Sequence, residues 1–151
     1  MRLLALDVGE RRVGVAVSDV SGLIATPLTV VHRKSKTEDF ATIACLVQEQ
    51  RAGALVIGLP LRANGTRGHQ ARRVQRYADA LLEALQAEGL DLPVTYWDEQ
   101  MSTVRAQEAM IASGRKAKRR REQIDAVAAA FILQDYLDVH RPSSPISGEA
   151  G

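Results

Sequence analysis

The first third of the chain alternates short apolar runs with polar turns, a pattern typical of β-strands. Strand-like runs cover residues 3–6, 12–18 and 24–31, and the middle run alternates valines with small residues. The turns between these runs are too short to hold a crossover helix, so neighbouring strands must run antiparallel. The pattern therefore predicts a three-stranded antiparallel meander at the start of the chain.

From residue 38 onward, helical and strand patterns follow each other in turn. Apolar residues recur with helical spacing over 38–51, 69–88, 103–113 and 122–138, and apolar runs at 54–59 and 94–98 predict two further strands. Strands that alternate with helices require parallel crossovers. We therefore predict an α/β fold, with a mixed sheet of five strands and helices on both of its faces.

The length and composition fit one globular domain. The chain has 151 residues, of which 46% are apolar and 25% charged. A domain of this size buries about 70% of its unfolded surface without help from disulfides or structural metals. We predict a single domain over residues 1–140. The tail at 141–151, RPSSPISGEAG, has no apolar periodicity, and we expect it to be disordered.

The single cysteine and the length of the apolar runs predict where the protein acts. Cys45 has no second cysteine with which to form an internal disulfide, which suits a reducing compartment. Its place in an apolar helical stretch predicts a buried, inert thiol. No apolar run reaches the ~20 residues of a membrane span. We expect a cytoplasmic protein without a membrane partner.

The net charge of +2 conceals a strong asymmetry. Residues 115–121 read RKAKRRR, and residues 62–76 carry five arginines and no acid; we call these the two basic segments. Together they hold eleven basic residues. Without these eleven, the chain has nine basic and eighteen acidic residues, a net charge of −9. Concentrated Lys and Arg neutralise phosphates, so the basic segments predict a nucleic-acid partner. A solvated charged surface is the alternative.

Several enzyme classes lack their characteristic residues in this sequence. His32, His69 and His140 have no paired spacing, so a zinc site is unsupported. The glycines of 58–65 are not followed by the Lys and Ser or Thr of a nucleotide-hydrolase phosphate loop, and no Gly-x-Ser-x-Gly elbow occurs.

Four carboxylates occupy positions suited to a metal site. Asp7 ends the first predicted strand, Asp98 and Glu99 end the last, and Asp125 falls in the first turn of the last helix, on its apolar face. Functional sites of open α/β sheets gather at the carboxyl ends of strands, and three acids there would suit Mg²⁺ or Mn²⁺. Structural roles are the alternatives: a turn at Asp7, a polar strand end at 98–99, and a favourable helix dipole at Asp125.

Four segments resemble the signature stretches of the YqgF family. They are LALDVGERRVGVAVSD at 4–19, VIGLPLRANGTRG at 56–68, DEQMST at 98–103 and REQIDAVAAAFILQDYLD at 121–138. These small bacterial proteins have a ribonuclease H-like fold and are associated with Holliday-junction resolution and with maturation of the precursor of small-subunit ribosomal RNA. The resemblance spans about residues 2–139. It implies a ribonuclease H-like sheet of three antiparallel and then two parallel strands.

The resemblance also implies roles for individual residues. Asp7, Glu99 and Asp125 would be catalytic and would bind one or two Mg²⁺ or Mn²⁺ ions, with Asp98 as a further candidate ligand. Arg12 and the loop at 60–68 would face nucleic acid. With the two basic segments, the predicted nucleic-acid-binding residues are Arg12, Arg62, Asn64, Arg67, Arg72, Arg73, Arg76, Arg115, Lys116, Lys118, Arg119, Arg120 and Arg121. The chain departs from the family pattern at Gln100 and Met101, where Arg and Leu are usual.

The function expected from the resemblance is a metal-dependent nuclease. Its predicted substrate is RNA, the precursor of 16S ribosomal RNA, and we expect a monomer or a weak homodimer. Two alternatives stay open: a Holliday-junction resolvase acting on branched DNA, and an RNA-binding ribosome-assembly factor without catalysis. The start Asp7-Val8-Gly9 before a hairpin is also similar to actin-like ATPases and sugar kinases, which need two such domains where this chain has room for one.

Overall fold

The structure, a computed structural model, describes residues 1–60, 68–98 and 117–140, with only the backbone described for 117–122. The described strands are β1 Arg2–Val8, β2 Arg12–Ser18, β3 Ala25–His32, β4 Ala52–Leu59 and β5 Val94–Asp98. The described helices are α1 Lys36–Gln50, α2 His69–Ala87 and α3 Ala117–Val139. The predicted helix at 103–113 and the predicted disordered tail at 141–151 lie outside the described residues.

The five strands form one mixed sheet in the order β3-β2-β1-β4-β5. The first three strands pair antiparallel, while β1 with β4 and β4 with β5 pair in parallel. This arrangement confirms the predicted meander followed by parallel crossovers. It also brings the carboxyl ends of β1, β4 and β5 to one edge of the sheet, which we call the carboxyl edge.

Helices cover both faces of the sheet, as predicted. The first core layer lies between the sheet and α1 and α2, and includes Leu4, Leu6, Ile57, Ile43 and Leu81. The second core layer lies between the sheet and α3, where Ala5, Ala16, Ala129 and Ala130 pack together with larger residues such as Leu133. Because side chains on a strand alternate between the faces, odd-numbered positions of β1 point toward α3.

Helix α1 begins two residues before its predicted start, since Ser35 caps it. The Ser35 hydroxyl accepts a hydrogen bond of 3.2 Å from the backbone N–H of Glu38, which is the Ser-x-x-Glu arrangement of an N-terminal cap. The prediction of a buried Cys45 is wrong, because the residue is exposed. The buried positions around it are Ala44 and Val47, and Cys45 points away from that stripe.

Helix α3 begins at Ala117, five residues before its predicted start. Residues 118–121, which belong to the basic segment 115–121, therefore lie in the first turns of α3. The start was predicted from apolar spacing, which the charged residues before 122 do not show. None of the described helices has the length and apolar character needed to cross a membrane.

The turn between β2 and β3 is organised by Asp19. Its Oδ1 accepts hydrogen bonds from the backbone N–H groups of Leu23 and Ile24 at 2.8 and 3.0 Å, and its Oδ2 accepts one from the Ser21 hydroxyl. These hydrogen bonds favour the charged carboxylate and lower the pKa of Asp19 well below its ordinary value of 3.8.

Candidate active site

The site begins with Asp7, which lies inside β1 near its carboxyl end. Asp7 is paired across the antiparallel ladder with Gly14 of β2. Asp7 is two residues beyond Ala5, and Gly14 two residues before Ala16, and both alanines belong to the second core layer. Strand alternation therefore places Asp7 and Gly14 on the face covered by α3.

Gly14 lets α3 approach the sheet at this point. A β-carbon built on Gly14 would overlap the backbone carbonyl of Asp125 and crowd the backbone nitrogen of Ala126. Only glycine, which has no β-carbon, permits this backbone contact. Asp125 is thereby held against β2 at the residue that is paired with Asp7, so the backbone of Asp125 lies beside the strand pair that contains Asp7.

Arg12, the first residue of β2, forms an ion pair with Asp125. Its Nε donates a hydrogen bond of 2.5 Å to Oδ2 of Asp125, between side chains that are 33% and 26% exposed. The contact is partly shielded from water, and a charge-assisted hydrogen bond of this kind fixes both side chains. The described site thus contains two carboxylates and one guanidinium from three elements, β1, β2 and α3.

Asp98, the last residue of β5, lies at the same edge but on the other face of the sheet. It is paired with Leu59, a member of the first core layer, whereas its neighbour Trp97 packs against the second core layer. Alternation therefore separates the face of Asp98 from that of Asp7. Glu99, the third predicted acid, lies outside the described residues.

The donor set fits a hard divalent cation. Carboxylate oxygens are the ligands that Mg²⁺ and Mn²⁺ prefer, and Arg12 contacts Asp125 through its Oδ2. Asp7 and Asp125 would hold such an ion together with Glu99. Among the described residues no group of three His, Cys, Asp or Glu side chains converges, and Glu99 is not among the residues covered by that statement.

Of the predicted nucleic-acid-binding residues, the structure describes the side chains of only a few. Arg72, Arg73 and Arg76 are exposed on α2, at the helix end nearer the carboxyl edge. The loop residues Arg62, Asn64 and Arg67, and also Arg115 and Lys116, lie outside the described residues. Lys118, Arg119, Arg120 and Arg121 lie in the first turns of α3, where only the backbone is described. Arg12 contacts Asp125 rather than open surface.

Two basic residues near the site, Arg33 and Lys36, were not predicted from the sequence. Arg33 follows β3 directly and donates a hydrogen bond of 2.7 Å to the carbonyl of Gly9, in the turn after β1. Its guanidinium also lies 4.4 Å from the ring centre of Tyr77 on α2. The signal that could have found them is the short basic run Arg33-Lys34-Ser35-Lys36, which ends β3 at the carboxyl edge.

The chain is similar in sequence to bacterial proteins that carry a nuclease name. A protein of Chloroflexus aurantiacus named "Putative pre-16S rRNA nuclease" is 46% identical over 147 residues, covering 97% of this chain and 93% of the relative. A protein of the same name from Thermoanaerobacter pseudethanolicus is 42% identical over 139 residues, covering 91% of this chain and 96% of the relative.

A solved structure supports the fold. Thermus thermophilus RuvC in complex with a Holliday junction substrate superposes with a TM-score of 0.54 at 21% identity, over 92% of this chain and 94% of that chain. A sequence model of the RuvX family, described as Holliday junction resolvase, matches residues 1–139. With this match over nearly its whole length, the chain belongs to the RuvX family, and its fold is ribonuclease H-like.

Proposed function

We propose that this protein is a metal-dependent nuclease that hydrolyses phosphodiester bonds in the precursor of 16S ribosomal RNA. The observation that carries the proposal is the joining of Asp7 and Asp125 across Gly14 at the carboxyl edge. Relatives that are 42% and 46% identical carry the name "Putative pre-16S rRNA nuclease", and this supports RNA as the substrate. The proposal places the protein in the cytoplasm, where ribosomal RNA is matured.

The metal ligands in this proposal are Asp7, Glu99 and Asp125. A bound Mg²⁺ or Mn²⁺ would polarise the scissile phosphate, lower the pKa of a water molecule and stabilise the leaving oxygen. Asp7 contributes from a strand buried in the sheet, and Asp125 from a helix that packs on it. Both carboxylates are therefore held by rigid elements, which favours a fixed ligand geometry.

Arg12 has a positioning role in this mechanism. Its Nε holds Oδ2 of Asp125, so it orients this carboxylate and leaves the other oxygen for a ligand. The exposed arginines Arg72, Arg73 and Arg76 of α2 bind backbone phosphates, since such contacts fix the register of a nucleic acid without reading its bases.

Cleavage assays with matched substrates test the proposal. Purified protein is incubated with a labelled precursor 16S RNA fragment or a four-way DNA junction, with Mg²⁺, Mn²⁺ or a chelator. The Asp7→Asn variant is the control, because it removes one negative charge and keeps the size of the side chain. We expect cleavage of the RNA with either metal, no cleavage with the chelator, and loss of cleavage in the variant with retained RNA binding.

Other outcomes would replace the proposal. Symmetric nicking of the junction without RNA cleavage would indicate a resolvase, the activity in the description of the RuvX family; such an enzyme should also dimerise. Retained RNA that is never cut, in any metal, would indicate a binding factor without catalysis.

A further inference from the structure

A pocket of about 380 Å³ opens at the carboxyl edge, on the face of the sheet opposite Asp125. Its walls come from the end of β1 and the following turn, the start of α1, and the first turns of α2. Its charged lining residues are Glu10, Arg33, Lys36, Arg73 and Arg76. Four cations therefore face one carboxylate, and the pocket attracts anions.

Arg33 forms a fixed point in this pocket. Its guanidinium is held by the hydrogen bond to the Gly9 carbonyl and by its position over the Tyr77 ring. Burial and the nearby negative charge of Asp39 raise the pKa of Tyr77 to about 12, so its ring stays uncharged at working pH. An arginine already ordered by such contacts loses little conformational entropy when it binds an anion.

The other cations leave binding capacity for a ligand. Arg73 pairs with Glu10 at 3.1 Å, but these side chains are 51% and 74% exposed, and exposed pairs are weak. Neither Lys36 nor Arg76 forms an ion pair within the part of the chain that the structure describes. Both are exposed in the walls of the pocket, so their donors can reach a bound phosphate.

The pocket and the candidate active site are close to each other. Val8 lines the pocket and directly follows Asp7 in β1, and consecutive Cα atoms are about 3.8 Å apart. The two sites thus share the end of one strand, with Asp7 on one face of the sheet and the pocket on the other. A nucleic-acid strand that crosses the carboxyl edge at Asp7 would next meet the pocket.

We infer that this pocket binds a backbone phosphate of the RNA strand, next to the phosphate that is cleaved, through Arg33, Lys36 and Arg76. This inference rests on the proposed nuclease function and adds Arg33 and Lys36 to the substrate contacts. Phosphate is the group that this chemistry recognises, and it could also be supplied by a free mononucleotide, which the experiment separates.

The test measures RNA binding without cleavage. In an Asp7→Asn background, fluorescence anisotropy follows labelled single-stranded RNA at several salt concentrations, with Lys36→Gln and Arg76→Gln combined. The matched control combines Arg2→Gln and Arg51→Gln, which remove two positive charges at the opposite edge of the sheet. Circular dichroism verifies that both double variants fold. Adenosine monophosphate is titrated as a competitor.

We expect the pocket variant to bind RNA about tenfold or more weakly, and the control to bind like the parent. The slope of log affinity against log salt should fall by about 0.7, the contribution of one neutralised phosphate on a single strand. Equal losses in both double variants, or no loss in the pocket variant, would overturn the inference. So would tight competition by adenosine monophosphate that depends on Lys36 and Arg76, which would make the pocket a mononucleotide site.

The proposed function is judged separately, on the protein with Asp7 intact. If RNA is bound through the pocket but never cleaved, the pocket stands and the nuclease proposal fails. If RNA is cleaved and the pocket variants bind like the parent, the nuclease proposal stands and the pocket inference fails.

Discussion

Gly14 in β2 lies directly against the backbone of Asp125 in α3, at the position where β2 pairs with Asp7 of β1. The contact joins residues 14 and 125, which are far apart in the sequence, and it fixes how deeply α3 sits on the sheet. The geometry of the proposed metal site therefore depends on a residue with no functional group.

Replacing Gly14 with alanine should damage both the fold and the activity. The added methyl group would meet backbone atoms, which cannot rotate away, and overpacking of this kind costs about 1–3 kcal/mol of unfolding free energy. Displacement of Asp125 should lower kcat by about 100-fold, the effect of a misplacement near 1 Å. Urea unfolding and RNA cleavage with Mn²⁺ measure the two effects.

Gly53→Ala is the matched control for this prediction. Its new methyl group would meet only the side chain of Met1, which is 70% exposed and can move. The control should keep full activity. If Gly14→Ala cleaved RNA as well as this control, the proposed dependence of Asp125 on Gly14 would be refuted.

Arg12→Gln should weaken catalysis more than RNA binding. Arg12 holds Oδ2 of Asp125, and loss of a residue that orients a metal ligand typically costs about 10–100-fold in metal affinity or activity. Titration of cleavage with Mn²⁺ should show a higher metal requirement or a lower kcat. Arg51→Gln, at the far edge of the sheet, is the control for loss of charge. An unchanged metal titration together with weaker RNA binding would instead make Arg12 a substrate contact.

A pair of conservative variants shows which of Asp98 and Glu99 is the third metal ligand. Asp98 lies on the face of the first core layer, opposite the face of Asp7, so Asp98→Asn should retain most of the cleavage activity. Glu99→Gln should lose it, because Glu99 is the predicted third ligand. Single-turnover cleavage rates at saturating metal decide the question, and the reverse order of activities would assign the ligand to Asp98.

The stability contributed by Asp19 should depend on pH. Its pKa in the folded protein lies below the ordinary value of 3.8, so its stabilising effect is present above that value and is lost as the pH falls toward the lowered pKa. Asp19→Ala should therefore destabilise the protein at neutral pH and have a smaller effect in strong acid. Urea unfolding at both pH values checks this, beside Asp79→Ala on the exposed side of α2. If Asp19→Ala lowered the free energy of unfolding equally at both pH values, the lowered pKa of Asp19 would be contradicted.

The strands and the sheet topology were predictable from the sequence because local patterns determine them. Period-two alternation over 12–18 and the short turns around it required antiparallel pairing, and the structure confirms this. The predicted start of α3 was wrong by five residues. The packing of the later turns of α3 on the sheet outweighs the unfavourable charges in its first turns.

The candidate site was only partly predictable, since its contacts join distant parts of the chain. The acids Asp7 and Asp125 stood out by their positions, but the ion pair between Arg12 and Asp125 spans 113 residues. The sequence around Arg12 does not indicate that its partner is Asp125. Likewise, the pocket that contains Arg33 and Arg76 exists only because β3 and α2 meet at the same edge.

Direct measurement of Mn²⁺ binding tests the central claim, that Asp7 and Asp125 belong to one metal site. Isothermal titration calorimetry compares the native protein with Asp7→Asn and Asp125→Asn, and with Asp79→Ala as the control. We predict that the native protein and the control bind Mn²⁺ and that each site variant loses most of this binding while remaining folded. Mn²⁺ binding that is unchanged in both Asp7→Asn and Asp125→Asn would contradict the claim.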